Sequence, residues 1–370
     1  MRAEALVVEA LRTPIGRRRG MLAGWHPADL RAEVLAALVE RAGIEPGGID
    51  DVIVGCVDQV GEQAVNVARS AVLGAGFPES VPAMTVDRQC GSSQEAVHLA
   101  AQSIMAGVND VVIAAGVESM TRVPMWANAP EPSAVYGTRF RERYGLEPDA
   151  FVEQGESGEM IADRFELTRE ELDGFALASH LRAAQAAREG RFTSQIVPVL
   201  AERDGARWTA TDDEGVRPGS SMASLAALAP AFREDGRLTA GNSSQISDGA
   251  AALLLVSDAA ARRLGLTPRA RVHAMAAVGV DPIEGLSGPI PATRRVLERG
   301  GLSVGDIDLF EVSEAFASIP LAWAKELDAD LGRTNVNGGA IALGHPLGCS
   351  GARLMTTLVH EMERREVRYG

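Results

Sequence analysis

Two stretches of the chain repeat each other at a fixed spacing of 258 positions. The segment "VERAGIEPGGIDDVIV" at 39–54 aligns without a gap with "LERGGLSVGDIDLFEV" at 297–312. Each copy ends an amphipathic helix, turns at a glycine and enters an apolar strand; Leu30, Val34 and Leu38 form the apolar face of the first helix. The repeat predicts two α/β half-domains of one topology, in which helices alternate with largely parallel strands.

The region between the two copies has a different composition. Residues 118–248 combine a proline-rich loop, a helical stretch and the polar segment "TATDDEGVRPGSS". We interpret this region as an insertion that covers one end of the core, where binding residues often gather. The predicted division is an N-terminal half of residues 1–117 and 249–265, an inserted loop domain of 118–248 and a C-terminal half of 266–370.

The repeat also makes a prediction about the end of the second half. The same spacing maps the apolar strand at 111–115 onto positions 369–373, whereas the sequence stops at Gly370. A central strand that is absent leaves buried backbone groups unpaired, at about 1–3 kcal/mol each. We therefore expect an incomplete second half, as in a chain that lacks its last strands.

Composition excludes several classes of function. A formal net charge of −14 argues against nucleic-acid binding, although local arginines can still bind an anionic small molecule. The apolar runs are too short to span a bilayer, and no N-terminal targeting pattern is visible, so we expect a cytoplasmic protein without a membrane partner. Three cysteines without a CxxC pair predict neither a disulfide framework nor a metal site.

Cys90 occupies an unusual place in this pattern. It lies in the turn between "VPAMTV" (81–86), predicted to be a buried strand, and "EAVHLAAQSIMAG" (95–107), predicted to be a helix. Backbone N–H groups and the helix dipole at such a turn are expected to lower the pKa of a thiol and to hold an oxyanion. The alternative, a buried structural cysteine, is about equally compatible with the pattern.

A glycine-rich stretch at 335–351 contains a single histidine, His345, ahead of another helix. The spacing of the repeat maps Cys90 onto position 348, so the two turns are predicted to face each other and to bring His345 towards Cys90. A thiol beside an imidazole is an activated nucleophile. The other interpretation is a phosphate-binding loop, but neither GxxxxGK[ST] nor a GxGxxG between strand and helix is present.

Two further segments carry polar residues next to predicted strands. In "FEVSEAFA" (310–317), Ser313 and Glu314 indicate either a functional site or a buried hydrogen-bond network, and the pattern alone favours the network. The segment "TAGNSSQISDGAAALLLV" (239–256) runs from small polar residues into a buried strand.

Together these segments resemble the thiolase family over nearly the whole chain. The resemblance rests on "RTPIG" (12–16), "DRQCGSSQ" (87–94), "AAGVESMTRVPM" (114–125), "TAGNSSQISDGAA" (239–251), "EVSEAFA" (311–317) and "NVNGGAIALGHPLGCSGAR" (335–353). The pattern is similar to degradative 3-ketoacyl-CoA thiolases, including steroid-type bacterial ones. It implies the α/β thiolase fold: duplicated half-domains stacked as α-β-α-β-α layers, with an inserted loop domain.

The resemblance implies an acyl-CoA C-acyltransferase. Such an enzyme cleaves a 3-ketoacyl-CoA with CoA, giving acetyl-CoA or propionyl-CoA and a shortened acyl-CoA. Cys90 would attack the 3-keto carbon and carry the acyl group, while His345 would take the thiol proton and help to stabilise the enolate. Coenzyme A is a co-substrate, and no cofactor or metal is implied. The partners are acyl-CoA and CoA, within a homodimer or a dimer of dimers.

Binding residues follow from the same resemblance. Arg217 would meet the nucleotide end of CoA, and Ser244 would contact the pantetheine. Four apolar residues would line the pantetheine tunnel: Leu228, Phe232, Ala315 and Phe316. Ser313 stands where the family has Asn or His, which orients a water in the enolate site.

The chain departs from the family pattern in other ways. Glu153 and Gln154 replace a His–Met pair of the biosynthetic acetoacetyl-CoA enzymes. The family's second cysteine, in a Cys-x-Gly segment, is absent, and Cys349 is interpreted as a packing thiol rather than its substitute. The alternatives are a catalytically silent acyl-CoA-binding protein or partner subunit and, less favoured, a ketosynthase-like condensing enzyme.

Overall fold

The computed structural model describes residues 3–203 and 205–370. Its strands are β1 (Ala5–Arg12), β2 (Gly16–Arg17), β3 (Asp51–Gly55), β4 (Ala83–Val86), β5 (Val111–Ser119), β6 (Val199–Arg203), β7 (Ala206–Ala210), β8 (Ser247–Ser257) and β9 (Ala270–Arg271). The α-helices are α1 (Pro27–Ala42), α2 (Val67–Gly74), α3 (Ser92–Met105), α4 (Thr138–Tyr144), α5 (Gln154–Arg164), α6 (Arg169–Arg188), α7 (Met222–Ala226), α8 (Asp258–Leu264), α9 (Pro289–Gly300), α10 (Ser318–Leu327), α11 (Ala340–Leu343) and α12 (Ser350–Arg365).

The main sheet has the strand order β4-β3-β5-β8-β1-β9, with β2 added beside β8. Strand β3 is parallel to β4 and to β5, whereas β8 is antiparallel to β5 and to β1. The prediction of largely parallel pairing is therefore wrong outside β3–β5. Helices α1 and α8 connect β1 to β3 and β8 to β9, but those strands are not neighbours, so only the crossovers among β3, β4 and β5 create parallel pairs. Strand β8 follows the long inserted region and enters the sheet in the opposite direction.

Helices cover both faces of this sheet. The apolar faces of α1 and α2 pack with one set of strand residues, and those of α3 and α12 pack with the other. Helix α3 begins at Ser92, three residues before the predicted start. Strand β4 is a half-buried edge strand rather than the buried strand predicted at 81–86, because it has β3 on only one side.

The internal repeat is visible in equivalent local structures. Helices α1 and α9 are capped at their C-termini by Gly43 and Gly301, whose φ angles of 68° and 67° lie in the left-handed region that glycine adopts without strain. Helices α3 and α12 begin at Ser92 and Ser350, which are separated by the repeat spacing. The prediction that two segments of the chain share one topology is confirmed at these positions.

The same hydrogen bonds also recur at the repeat spacing. The Asp50 carboxylate accepts from the backbone N atoms of Asp110 (2.7 Å) and Val111 (2.8 Å). The Asp308 carboxylate accepts from the backbone N atoms of Arg368 (3.0 Å) and Tyr369 (2.9 Å). Each aspartate thus holds the start of the segment beside it in the same way.

The apolar strand predicted at the end of the second copy (297–312) does not form a ladder. Phe310 makes a single parallel bridge with Thr334, and the backbone N atoms of Asp308 and Leu309 both donate to the carbonyl of Tyr369. A ladder requires successive pairs along one neighbour, which this segment does not have. Residues 307–312 are therefore extended chain rather than a sheet strand.

The inserted region 118–248 contributes helices α4–α7 and the antiparallel pair β6–β7. Helices α5 and α6 pack against α10 in an apolar cluster that includes Ile161, Phe175 and Trp323. The boundaries that divide the chain into two halves and an inserted domain stay a prediction.

No helix in residues 3–203 and 205–370 has both the length and the apolar character to cross a membrane.

Candidate functional site

A cavity of about 530 Å³ is lined by residues of the inserted region and of both halves. Its volume is in the range of small-molecule sites. The lining consists of Arg17, Arg18, Met120, Met125, Trp126, Phe151, Glu153, Gln154, Gly155, Arg217, Ala231, Phe232, Ala240, Ser243, Ser244, Gln245, Ile246, Ala315, Phe316, His345 and Leu347. Apolar and aromatic side chains dominate, and the cations are three arginines. Such a cavity suits a ligand with an apolar body and an anionic end.

His345 is held by contacts on one side of its ring. The residue is 3% exposed, its Nδ1 lies 2.6 Å from Ser350 Oγ, and Ser350 Oγ donates to the carbonyl of Pro346 at 2.8 Å. Because that hydroxyl has one hydrogen, it must accept from Nδ1–H. His345 is then the tautomer whose Nε2 carries a lone pair. Burial, with a smaller contribution from Arg353, lowers the pKa of His345 to about 4, so the ring is neutral.

Two buried polar atoms on the lining residues have no hydrogen-bond partner among the described residues. They are Nε2 of His345 and Oγ of Ser243. An unpaired buried polar atom carries a desolvation cost, which a bound polar ligand relieves. Ser243 Oγ can therefore bind a carbonyl or hydroxyl of a substrate, whereas the lone pair on His345 Nε2 can accept a hydrogen bond or a proton.

Cys90 is half-buried two residues before α3, and Gln89 before it has a left-handed φ of 50°. Its side chain packs against a small cluster of Val57, Met120 and Leu347. Cys90 is not itself part of the cavity lining. Met120 and Leu347, however, line the cavity, so Cys90 packs against two residues of the lining that also includes His345.

The prediction of a lowered thiol pKa at Cys90 is wrong for the protein without ligand. Burial, reinforced by the nearby Glu118 carboxylate, raises the pKa of Cys90 to about 12. Desolvation disfavours the thiolate more than the backbone N–H groups favour it. The thiol is protonated at neutral pH, and its activation requires a base.

The turns that carry Cys90 and His345 meet as predicted from the repeat. The backbone N of Ala352 donates to Ser93 Oγ at 2.8 Å. A Cβ atom on Gly116 would lie 2.4 Å from the carbonyl O of Gly348, and one on Gly351 would lie 2.3 Å from the backbone N of Gln94. Glycine permits this approach because it has no side chain.

Five of the six predicted CoA-binding residues line the cavity: Arg217, Phe232, Ser244, Ala315 and Phe316. The backbone N of Ser244 donates to the carbonyl of Ala315 at 2.9 Å. The rings of Phe232 and Phe316 meet edge to face at 5.3 Å. One wall of the cavity is therefore built from two distant segments of the sequence.

Leu228 is the exception among these predicted residues. It is 38% exposed and lies outside the cavity lining. Its side chain instead packs over Gly241, where a Cβ atom would lie 2.6 Å from Leu228 Cδ1. The turn after α7, closed by a hydrogen bond from Leu228 N to the carbonyl of Leu225, directs the side chain there.

Ser313 and Glu314 have different environments. Glu314 is buried and accepts from Ser179 Oγ, Asn335 Nδ2 and the backbone N of Ile341. Burial raises the pKa of Glu314, and these donors act against the rise. The network interpretation is therefore confirmed for Glu314. Ser313 is not in the cavity lining, and its hydroxyl is buried without a partner in the described part of the chain.

The other predicted features of the site can be located as well. Cys349 is fully buried in the apolar core between α3 and α12, which confirms its packing role. Glu153 and Gln154 line the cavity. Within residues 3–203 and 205–370, no group of three or more His, Cys, Asp or Glu side chains is arranged to hold a metal ion.

Family comparisons agree with this arrangement. The family model described as "Thiolase, N-terminal domain" matches residues 5–259, and the one described as "Thiolase, C-terminal domain" matches residues 266–370. The chain belongs to the thiolase family. The predicted resemblance is thereby confirmed, and with it the class of acyltransferases.

Individual relatives of this thiolase cover nearly its whole length. A protein of Mycobacterium tuberculosis named "Steroid 3-ketoacyl-CoA thiolase FadA6" is 48% identical over 99% of this chain and 90% of its own. A Bacillus subtilis protein named "3-ketoacyl-CoA thiolase" is 42% identical over 99% of this chain and 95% of its own.

Solved structures confirm the predicted α/β thiolase fold. The crystal structure of the Bacillus anthracis acetyl-CoA acetyltransferase matches with a TM-score of 0.90 and 41% identity, over 99% of this chain and 94% of that one. The crystal structure of human mitochondrial 3-ketoacyl-CoA thiolase matches with a TM-score of 0.91 and 34% identity, at the same coverage.

Sequence reasoning missed Glu118, which connects the parts of the site in this thiolase. Its buried carboxylate accepts from the backbone N atoms of Val57 (2.9 Å), Asp58 (3.2 Å) and Gly348 (2.8 Å), and from Gln63 Nε2 (2.6 Å). Burial raises its pKa, and these donors oppose the rise. A glutamate near the end of an otherwise apolar strand was the signal that could have identified it.

His180 also received no role from the sequence, yet it supports a predicted binding residue. Its ring is buried, and its Nδ1 accepts from the backbone N of Arg217 at 3.2 Å. Burial, with a contribution from Arg217, lowers the pKa of His180 to about 4. No periodic pattern marks this contact, because the two residues lie on different elements.

Proposed function

We propose that the protein is an acyl-CoA C-acyltransferase that cleaves a 3-ketoacyl-CoA with CoA. The products are acetyl-CoA or propionyl-CoA and a shortened acyl-CoA. One observation carries the proposal: a neutral, buried imidazole, His345, has an unpaired Nε2 on a cavity whose lining residues Met120 and Leu347 pack around Cys90. Relatives named 3-ketoacyl-CoA thiolase support the same reaction, in the degradation of fatty acids or steroids.

The first half-reaction forms an acyl-enzyme. His345 Nε2 takes the proton of the Cys90 thiol, and Sγ attacks the 3-keto carbon of the substrate. The bond between C2 and C3 breaks, and its electron pair passes into the enolate of the departing acetyl-CoA. Unpaired donors such as His345 Nε2–H, once protonated, stabilise the enolate oxygen. The proton removed from Cys90 balances the one that C2 of acetyl-CoA gains.

The second half-reaction transfers the acyl group to CoA. The CoA sulfur attacks the thioester carbon, the bond to Cys90 Sγ breaks, and the CoA thiol proton restores the Cys90 thiol. Splitting the reaction in this way lowers each barrier, because thioesters exchange readily with thiols. The role of Ser313 in orienting a water at the enolate is proposed from the family resemblance alone, since Ser313 lies outside the cavity lining.

The cavity lining supports a CoA position. The Arg217 guanidinium suits the phosphates or adenine, since its planar fork forms paired hydrogen bonds or stacks on a ring. Ser244 contacts the pantetheine, and Phe232, Ala315 and Phe316 enclose it. Arg18 adds positive charge to the same cavity despite the negative net charge of the chain, and Arg17 beside it is ion-paired with Glu214.

The assembly follows from the family resemblance alone, and the cytoplasmic location stays an expectation from the sequence. We assign the protein to the cytoplasm as a homodimer or dimer of dimers, with acyl-CoA and CoA as its partners. The catalytically silent alternative is not favoured, because relatives that match this chain over nearly its full length carry enzyme names.

The test combines turnover with trapping. Purified protein is incubated with a 3-ketoacyl-CoA and CoA while the 3-keto thioester is followed. The acyl adduct formed without CoA is mapped by mass spectrometry. Cys90→Ala is expected to abolish turnover and adduct, and His345→Ala to slow acylation by about 100-fold or more. Cys349→Ala, which alters only packing, retains both. Binding of acyl-CoA without turnover or adduct by the unaltered protein would instead support the silent alternative.

A further inference from the structure

A tight turn beside the active-site cavity places a tryptophan in an unfavourable backbone conformation. The turn comprises residues 124–127 and is closed by a hydrogen bond from Ala127 N to the carbonyl of Pro124 at 2.9 Å. Trp126, at its third position, has a φ of 70°. That position favours glycine or asparagine, and a bulky side chain there is a steric outlier. Another interaction must therefore stabilise the turn.

The buried carboxylate of Asp58 supplies part of that stabilisation. Asn128 N donates to Asp58 Oδ1 at 3.3 Å, and Asn128 Nδ2 donates to the carbonyl of Val57 at 3.2 Å. Burial raises the pKa of Asp58, whereas hydrogen bonding from the backbone of Asn128, Trp126 and Ala127 acts against that rise. The turn is thereby fastened to residues 57–58, next to the cluster against which Cys90 packs.

The strained conformation directs apolar groups into the cavity lining. Met125 and Trp126 both line the cavity, and the Trp126 ring meets the Phe151 ring edge to face at 5.0 Å. Phe151 also lines the cavity and stacks on Tyr136 at 6.0 Å. Together Met125, Trp126 and Phe151 form an apolar part of the cavity lining, which we call the aromatic wall.

We propose that Trp126 determines the acyl specificity of the enzyme, and that the aromatic wall selects bulky, ring-containing acyl groups over acetyl. The inference rests on the proposed function for the reaction at Cys90. A ring packed against the wall removes apolar surface from water, and the gain grows with the area buried. A methyl group covers little of that surface. Strain kept at a ligand-facing turn is typical of a functional site.

The decisive variant is Trp126→Gly, which removes the wall residue and also relieves the left-handed strain. Relief of the strain offsets part of the packing lost with the ring, so we expect urea unfolding to show that the variant remains folded without denaturant. Its kcat/KM for 3-keto-3-phenylpropanoyl-CoA, relative to acetoacetyl-CoA, is expected to fall about 10- to 100-fold. Glu166→Gly is the matched control, because Glu166 is exposed, has a φ of 53° and lies outside the cavity lining. It relieves similar strain and leaves the substrate ratio unchanged.

A binding measurement separates this inference from the proposed reaction. Calorimetry gives the affinities of benzoyl-CoA and acetyl-CoA for the unaltered protein and for Trp126→Gly. A ratio that falls at least tenfold in the variant supports the aromatic wall, whether or not the protein turns over. An unchanged ratio, or an equal loss for both ligands, overturns the inference. Absence of cleavage of either 3-keto substrate by the unaltered protein overturns the proposed function alone.

Discussion

Ser350 Oγ lies 2.6 Å from Nδ1 of His345 and fixes which ring nitrogen carries the proton. The Ser350 hydroxyl gives its own hydrogen to the carbonyl of Pro346, so the imidazole must donate from Nδ1. Nε2 is left as a proton acceptor on the cavity side of a neutral ring. Ser350 thus holds His345 in the tautomer that can act as a base.

Loss of this contact should affect catalysis more than substrate binding. Ser350→Ala allows the Nε2–H tautomer to form, which cannot accept the thiol proton. If the hydrogen bond between His345 Nδ1 and Ser350 Oγ favours the reactive tautomer by about 1 kcal/mol, its loss lowers kcat roughly 5- to 10-fold. KM should stay nearly unchanged. Steady-state kinetics measure both. Thr356→Val is the control on the same helix, since its buried Oγ1 has no partner in the described part of the chain. Full activity of Ser350→Ala would refute the positioning role.

The buried histidines predict a stability that declines in mild acid. Burial is the main reason that the pKa values of His180, His345 and His360 are all lowered to about 4 from 6.5. Between pH 6.5 and 4 the unfolded chain binds protons that the folded protein does not, so the free energy of unfolding falls as the pH falls. Each histidine contributes up to about 3 kcal/mol across this window.

Urea unfolding at pH 7.5, 6 and 5 measures this dependence. His360 hydrogen-bonds through Nδ1 to Ser194 Oγ and through Nε2 to the carbonyl of Ala10, and none of these residues lines the cavity. His360→Gln removes one titrating group, so its stability is expected to be lower at pH 7.5 but less dependent on pH. A variant with the same pH dependence as the unaltered protein would show that His360 does not contribute.

The three cysteines should differ in their reaction with alkylating reagents. Cys56 and Cys349 are fully buried, whereas Cys90 is half-buried. Burial raises the pKa of Cys90 to about 12, so iodoacetamide should modify Cys90 alone and slowly at pH 7. Peptide mapping after timed labelling identifies the modified residue, and acetyl-CoA is expected to protect it. Labelling of Cys56 or Cys349 at a comparable rate in folded protein would contradict this assignment.

The sequence alone was sufficient to predict the structure where a local pattern determines it. The repeat spacing predicted equivalent helix ends at Gly43 and Gly301, and the hydrogen bonds of Asp50 and Asp308 recur at that spacing. The contact between the turns of Cys90 and His345 followed from the same spacing. These features depend on backbone geometry within each copy and on the stacking of the two copies.

Properties that depend on tertiary surroundings were not predictable in this way. The pKa of Cys90 is governed by desolvation and by Glu118, which is distant in the sequence. Leu228 is apolar like the residues that line the cavity, but its side chain packs over Gly241 instead. The half-buried state of β4 depends on its place at the edge of the sheet. Each of these outcomes is set by a neighbour that periodicity does not specify.

The close approach of the two active-site turns provides a final test through the glycines that allow it. A Cβ atom at Gly116 would lie 2.4 Å from the Gly348 carbonyl O and 2.6 Å from Ser93 Cβ. Backbone must therefore move in Gly116→Ala, and we expect a loss of about 1–3 kcal/mol in unfolding free energy. Because the displaced segments carry His345 and the helix after Cys90, turnover should fall further than stability alone explains.

Gly74→Ala is the matched control for this substitution. Gly74 is the last residue of α2, and a Cβ atom there meets only Ala32 Cβ, at 3.7 Å. Alanine in a helix is favoured over glycine by about 0.5–1 kcal/mol, so this variant should be equally or more stable and fully active. Urea unfolding and thiolysis rates are measured for both proteins. Equal stability and equal turnover of Gly116→Ala and Gly74→Ala would show that neither property depends on the close approach of Gly116 to Gly348.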